Sequence, residues 1–297
     1  MSQTITKDVR VDTLIGGHRD YHCVTEIFND VKEVIEVTKT RELHSGCGSQ
    51  DYLNTNRIGI DEDFHGVESY EEFEDLALNG YNCDLAEALK SEMKVQLRNT
   101  QVRKRTETFN DVVGFVPNVP LAIMGVPTSM VNSRTRVIKR KCVNIFIDVA
   151  VPARCSTEKA TECYKQVLRN VMQLEADGYA VRITAISTFA RDVRIYSLAV
   201  RIKNEGQRFN LKSMCFPLAH PSFERILAFG WYTRHPQTEY MFRCGRALDN
   251  EAKRNNFKGE DLLRSLYGSD ASCISIAAMI DLSKADRAKY LNTCLQR

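Results

Sequence analysis

VNIFIDV (Val143–Val149) and AVRITAIS (Ala180–Ser187) are two apolar runs rich in β-branched side chains, separated by one amphipathic segment. A near-continuous apolar run is what a strand buried on both faces requires. Ser156 stands where it can cap the segment between them. Within that segment Cys163, Val167, Val171 and Leu174 mark one edge of an apolar stripe, Tyr164, Leu168 and Met172 widen it, and Gly178 supplies the stop. The spacing predicts a strand–helix–strand unit whose crossover joins two parallel strands. VRIYSLAVRIK (Val193–Lys203) alternates in part and is expected as a third strand, antiparallel at a sheet edge.

Outward from this block the alternation continues. Ser222 opens a helix carrying Phe223, Ile226, Leu227 and Trp231; Leu262, Leu263 and Leu266 indicate another. CISIAAMIDL (Cys273–Leu282) reads as a last buried strand, and Ser283 caps a terminal helix running through Leu291 and Leu295. The expected class is α/β, with a C-terminal sheet layered by helices. The order IFID, loop, helix resembles the opening of a von Willebrand factor A-like domain, where an Asp-x-Ser-x-Ser loop gives oxygen ligands to a divalent ion. Here those positions hold Asp148, Ala150 and Pro152, so both hydroxyls are missing. The expectation is a degenerate core of that type without a metal, Asp148 serving hydrogen bonds within the loop.

The region ahead of the block reads as mixed α+β. Ile27, Val31, Val34 and Ile35 fit a helix across Val24–Val37, but its β-branched content leaves a strand or a mixture open. Gly46, Gly48 and Gly59 mark loops. Ser69-x-x-Glu72 is a capping box, followed by Phe73, Leu76 and Ala77 and stopped at Asn79-Gly80. Asp84-x-x-Glu87 begins a second helix with Leu85, Leu89, Met93 and Leu97 on one stripe.

Charge divides the 297 residues. The net value is only +3, yet residues 1–97 hold nine Lys/Arg against twenty Asp/Glu, and residues 98–141 hold nine against two. We therefore expect an acidic N-terminal region at 1–97, a basic, proline-rich connecting arm or strap at 98–135, and an α/β C-terminal domain at 136–297. Residues 114–133 contain three prolines and two glycines among many apolar side chains. A flexible linker would not be so apolar, which points to an ordered strap on a surface or an arm embracing another subunit. The ten cysteines are scattered singly and read as reduced thiols. No run approaches the roughly 20 apolar residues of a membrane span, and MSQTITKDVRVD has no signal-like apolar stretch, so the expected compartment is the cytoplasm.

The common catalytic signatures for phosphate, dinucleotide, serine-nucleophile and metalloprotease chemistry are missing. His18, His22 and Cys23 with His44 and Cys47 offer a loose zinc arrangement, against surface imidazoles and buried thiols. His220 precedes a helix start and reads as structural. No catalytic, cofactor-binding or metal residue is assigned, and the chain is not expected to be an enzyme. The basic residues Arg103, Lys104, Arg105, Arg134, Arg136, Lys139, Arg140 and Lys141 suit either phosphates or an acidic protein surface. Aromatic side chains for base stacking are sparse among them, which favours protein. Phe115, Met124 and Met130 are candidate partner anchors, with core placement as the competing use.

Several segments taken together resemble one phage-encoded anti-defence family, which includes the inhibitor of the bacterial Gabija system. They are SYEEFEDLALNGY (69–81), GFVPNVPLAIMGVPTSM (114–130), VNIFIDVAVP (143–152), LEADGYAVRI (174–183) and FPLAHPSFERILAFGW (216–231). The resemblance implies a homo-oligomer in the host bacterial cytoplasm that binds the Gabija nuclease and helicase subunits and keeps them from binding and cutting DNA. It implies no cofactor and no membrane. A phage nucleic-acid-binding protein is the alternative, ahead of a zinc-dependent enzyme and a degenerate peptide-binding adhesion domain.

Overall fold

A computed structural model describes residues 2–43, 52–53, 65–82, 89, 104–137, 141–151, 156–238 and 246–295. Its centre is the predicted unit. β6 (Cys142–Asp148) leads through α4 (Thr157–Ala176) to β7 (Ala180–Arg191), which lies parallel to β6. Ser156 Oγ accepts the Lys159 amide, and Gly178 (φ +95°) turns the chain after the helix, a conformation in which a side chain is strained. Val167, Leu168 and Val171 are fully covered, so the stripe read from spacing is the face pressed onto the sheet.

β8 (Arg194–Lys203) returns antiparallel to β7, as expected, but it is not an edge. β2 (His18–Phe28) pairs parallel with its far side, His22 against Arg194 through Phe28 against Val200. β1 (Gln3–Asp12) pairs antiparallel with β2 and closes that flank, while β10 (Ser272–Ser275) lies parallel to β6 on the other. The main sheet therefore runs β1-β2-β8-β7-β6-β10, with the two-residue β9 (Arg246–Ala247) against the end of β7. Strands from both sides of the compositional boundary share this one mixed sheet, and the class is α/β.

Helices cover both faces. On one lie α1 (Val31–Thr40), α2 (Tyr70–Asn79), α4, α5 (Leu211–Ala219), a π-helical turn at Phe223–Ala228 that runs into α6 (Phe229–Arg234), α9 (Ile276–Ile280) and α10 (Lys284–Leu295). On the other, α7 (Leu248–Asn255) and α8 (Gly259–Tyr267) pack over Val9, Val11, Tyr21 and Cys23. The Val24–Val37 ambiguity resolves as a strand followed by a helix, the break set by Asp30, whose side chain accepts the Glu33 amide. Ser69 caps its helix as read, its Oγ accepting the Glu72 amide, while the Glu72 carboxylate reaches back one residue further than a capping box and accepts the Glu68 amide. Of the second acidic helix only Leu89, which is buried, lies within the described residues.

One expectation fails in the C-terminal segment. Cys273–Leu282 is not a strand throughout: Ser275 Oγ accepts the Ala278 amide and starts α9, which leaves β10 four residues long. No helix among the described residues is long and apolar enough to cross a membrane.

The parallel junction of β2 with β8 carries a buried ionic knot. Glu26, inaccessible to solvent, takes two 2.7 Å hydrogen bonds from the Arg41 guanidinium and one of 2.7 Å from Trp231 Nε1, with His235 Nε2 at 3.5 Å. Burial alone would push this carboxyl up, but the bonds from Arg41 and Trp231 outweigh it and hold it below its ordinary value. Removing one member leaves the other charge without a counterion, at a cost of about 3 kcal/mol. We expect Glu26→Gln to lower the urea-unfolding free energy by about that amount at pH 7. Because the native carboxyl is depressed, its contribution is present above the ordinary value of 4.5 and is lost as the pH falls through the folded one. The gap between variant and wild type should therefore shrink on acidification, and a constant gap would contradict the assignment.

Candidate interaction arm

The connecting arm or strap expected at 98–135 is described over residues 104–137, where it forms a sheet of its own. β3 (Lys104–Asp111) pairs antiparallel with β5 (Met130–Val137), and β4 (Val116–Pro117) pairs with the end of β5. Between β4 and β5 a single helical turn, α3 (Val119–Ile123), takes Pro120 at its start, where a missing amide costs nothing. The prolines thus sit where no ladder donor is needed, so an ordered sheet was compatible with them. Gly114 lets the crossing close. A Cβ there would fall 2.2 Å from the Val131 carbonyl oxygen, which also accepts the Phe115 amide. Asn118 donates its amide to Ser129 O, and Asn132 Nδ2 donates to Val113 O, tying the turn to β5.

Among its described side chains the arm has no core. No described side chain between Thr106 and Arg134 is buried. Ile123 is 81% exposed, Met124 73% and Phe115 63%, and Val112, Val113, Val116 and Val119 are also open. A small sheet draws its stability from packing one face against something. Clustered exposure of large apolar side chains makes the arm a candidate interaction surface.

Of the expected anchors, Phe115 and Met124 stand at this tip, whereas Met130 is half-buried beside β3. Ile123, within the apolar, proline-punctuated stretch 114–133, was not singled out as an anchor, and the Val112–Val113 pair just ahead of that stretch was passed over. The stem is basic. Arg105 stands opposite Arg136 in the ladder and Glu107 opposite Arg134, with Lys104 opposite Val137. Two like charges in one cross-strand position disfavour pairing unless an acidic group compensates them. Arg134 and Lys141 are exposed. Arg103, Lys139 and Arg140 lie outside the described residues.

Two other regions were candidates for chemistry. At the carboxyl end of β6, Asp148 is 1% exposed, its Oδ1 accepting the Ala150 amide at 3.4 Å, and burial pushes its carboxyl well up. This matches the loop role read for it. Glu224, on the π-helical turn, accepts the Val151 amide, and loss of water pushes it up to about 7. Beside it a cavity of about 60 Å³ is lined by Ser156, Tyr164, His220 and Arg225. Ligand pockets are commonly several hundred Å³. His220 Nδ1 lies 2.6 Å from Ser222 Oγ, and burial lowers the imidazole to about 4, so it is neutral and anchors the helix start.

The zinc arrangement does not assemble among the described residues. His22 is exposed and hydrogen-bonded to Asp8, whereas Cys23 is buried on the opposite face of the same strand. His44 and Cys47 lie outside the described residues. Among those described, no group of three or more His, Cys, Asp or Glu side chains is placed to hold a metal ion.

The chain belongs to the family described as a domain of unknown function, DUF7192, whose family model matches residues 12–267. That span takes in the arm and most of the main sheet. No curated protein and no solved structure matches the chain.

The steric argument at Gly114 gives a direct test of the arm. Gly114→Ala should open the β4–β5 crossing and make residues 104–137 a preferred site of limited proteolysis, while urea unfolding of the main sheet stays within about 0.5 kcal/mol of wild type. Unchanged cleavage would contradict the geometry described for the crossing.

Proposed function

We propose that this member of the DUF7192 family works by docking on another protein through the arm, as a phage anti-defence inhibitor of the bacterial Gabija nuclease–helicase complex. By occupying the complex it keeps DNA from being bound and cut. The observation that carries the docking half is an ordered sheet with no buried side chain described between Thr106 and Arg134 and with Phe115, Ile123 and Met124 in water. The target follows from the resemblance of five segments to the phage family, two of which, GFVPNVPLAIMGVPTSM and VNIFIDVAVP, are the arm tip and the strand beside its root.

Ile123, Met124 and Phe115 each release about 1.5–3 kcal/mol when fully buried, an upper range that ordering costs reduce. Anchors of this kind carry most of an interface's energy, with charged groups at the rim setting orientation and encounter rate. The basic stem suits an acidic rim on the target. It also motivates the second reading, in which the paired arginines of the stem contact nucleic-acid phosphates.

The test is co-purification of the tagged full chain with a Gabija complex, followed by light scattering on the eluted species and a DNA-cleavage assay. A stable joint assembly with cleavage suppressed is expected. The triple variant Phe115→Ser, Ile123→Ser, Met124→Ser should weaken that assembly by about a hundredfold or more and restore cleavage. A wild-type chain that elutes alone and leaves cleavage untouched overturns the target. Affinity for DNA falling steeply with salt in the isolated chain would favour the second reading.

A further inference from the structure

We propose that two copies of this chain join edge to edge through β1, antiparallel, with Val9 on the two-fold axis, so that their main sheets become one. The inference rests on the edge alone and not on the identity of any target.

β1 is ten residues long and, among the described residues, pairs only with β2. The direction of its free groups follows from one bond. The His22 amide donates to Val193 O, on the β8 side of β2, at 2.8 Å. The backbone groups of His22 therefore turn away from β1. In an antiparallel ladder, facing residues either exchange both bonds or point both away. Asp8, which faces His22, thus presents its N–H and C=O to the open edge, and so do Thr4, Thr6, Arg10 and Asp12. None of these main-chain groups has a hydrogen-bond partner among the described residues. The edge is accessible: the Asp8 side chain is 83% exposed and that of Arg10 63%.

Long open edges are commonly blocked by charge. Here the charges are arranged to choose a register. With the axis at Val9, Asp8 stands opposite Arg10 of the second copy, Arg10 opposite its Asp8, and Thr6 opposite its Asp12. An axis one residue earlier sets Asp8 against Asp8, and one residue later sets Arg10 against Arg10 and Asp8 against Asp12. Like charges directly opposite destabilise a pair and unlike charges support it.

The chain's own contacts extend the pattern. Arg10 bonds Asp20 at 2.8 Å and Asp8 bonds His22 at 2.8 Å, both on the outward face of the β1–β2 ribbon. Pairing at Val9 would continue each into a row crossing four strands: His22, Asp8, then Arg10 and Asp20 of the second copy. On the opposite face Val9 and Val11 belong to the core under α7 and α8, so the joint would prolong an apolar layer already in place.

Sedimentation velocity on the full chain tests this with two charge reversals and their combination. Wild type should sediment as a dimer or an even multiple. Asp8→Arg and Arg10→Asp should each weaken the dimer by about tenfold or more, because each sets like charges across both halves of the two-fold joint. The double variant D8R/R10D restores opposite charges in the same register and should recover most of the association. Far-ultraviolet circular dichroism serves to show that all three remain folded. A monomeric wild type across the micromolar range overturns the proposal. So does an assembly that ignores both single reversals, or a double variant no better than either. The experiment needs no target complex, so its failure leaves the docking of the arm standing, and the arm-tip triple variant should leave the dimer intact.

Discussion

The buried carboxylate of Glu26 is the constraint on which the joining of the two ends of the chain depends. Parallel pairing between β2 and β8 brings together segments separated by more than 160 residues, and such contacts cost loop-closure entropy before they return anything. Apolar side chains alone specify the facing surfaces poorly. Glu26 lies on β2, and its partners come from the residue after α1, from α6 and from the residue after α6. Arg234 Nη1 in turn donates to Arg41 O, which ties the end of α6 to the end of α1. A slip of β2 by one residue would turn the carboxylate toward the other face and leave the Arg41 charge with no counterion. Register and helix placement are thus fixed by one satisfied charge within a large apolar core.

The arm obeys the opposite logic. Its strands are held by main-chain ladders and by short polar ties such as Asn132 to Val113, yet the side chains that would ordinarily form a core point into water. Such a device fits a body whose own stability is secured elsewhere. The main sheet with its two helical layers is that body, and the arm precedes it closely in sequence, β6 beginning at Cys142, five residues after β5 ends. In the docking we propose, an apolar tip on a basic stem would separate the two demands of binding, affinity from the tip and orientation from the stem.

Much of the main sheet was legible because its signals were local and mutually consistent. Ser156, the α4 stripe and Gly178 all agreed on one helix, and the two flanking apolar runs left no other partner for it. Reading failed where the deciding contact was distant or a breaker misled. The placement of β8 inside the sheet depends on β2, whose alternation HRDYHCVTEIF is too mixed to announce a buried parallel strand. β1 shows only Ile5, Val9 and Val11 in alternation. Pro217 hides α5, although the helix tolerates it, and the apolar run at Cys273–Leu282 is as good a strand as a helix until Ser275 is seen to cap. In the arm, the composition pointed to an ordered apolar surface, but Gly114 packed against Val131 is a tertiary contact that no spacing rule contains. Phe115 and Met124 were legible as candidates and are both exposed, whereas Ile123 gained its place only from the turn that lifts it to the tip.

The central claim is that the arm is the docking surface. Hydrogen–deuterium exchange of the full chain, alone and after saturation with the Gabija complex, tests it most directly. The account predicts slowed exchange concentrated in residues 104–137, strongest around the 112–124 tip, with the amides of β6, β7 and β8 unchanged. Protection that falls elsewhere on the main sheet while the arm exchanges as fast as in the free chain would contradict it.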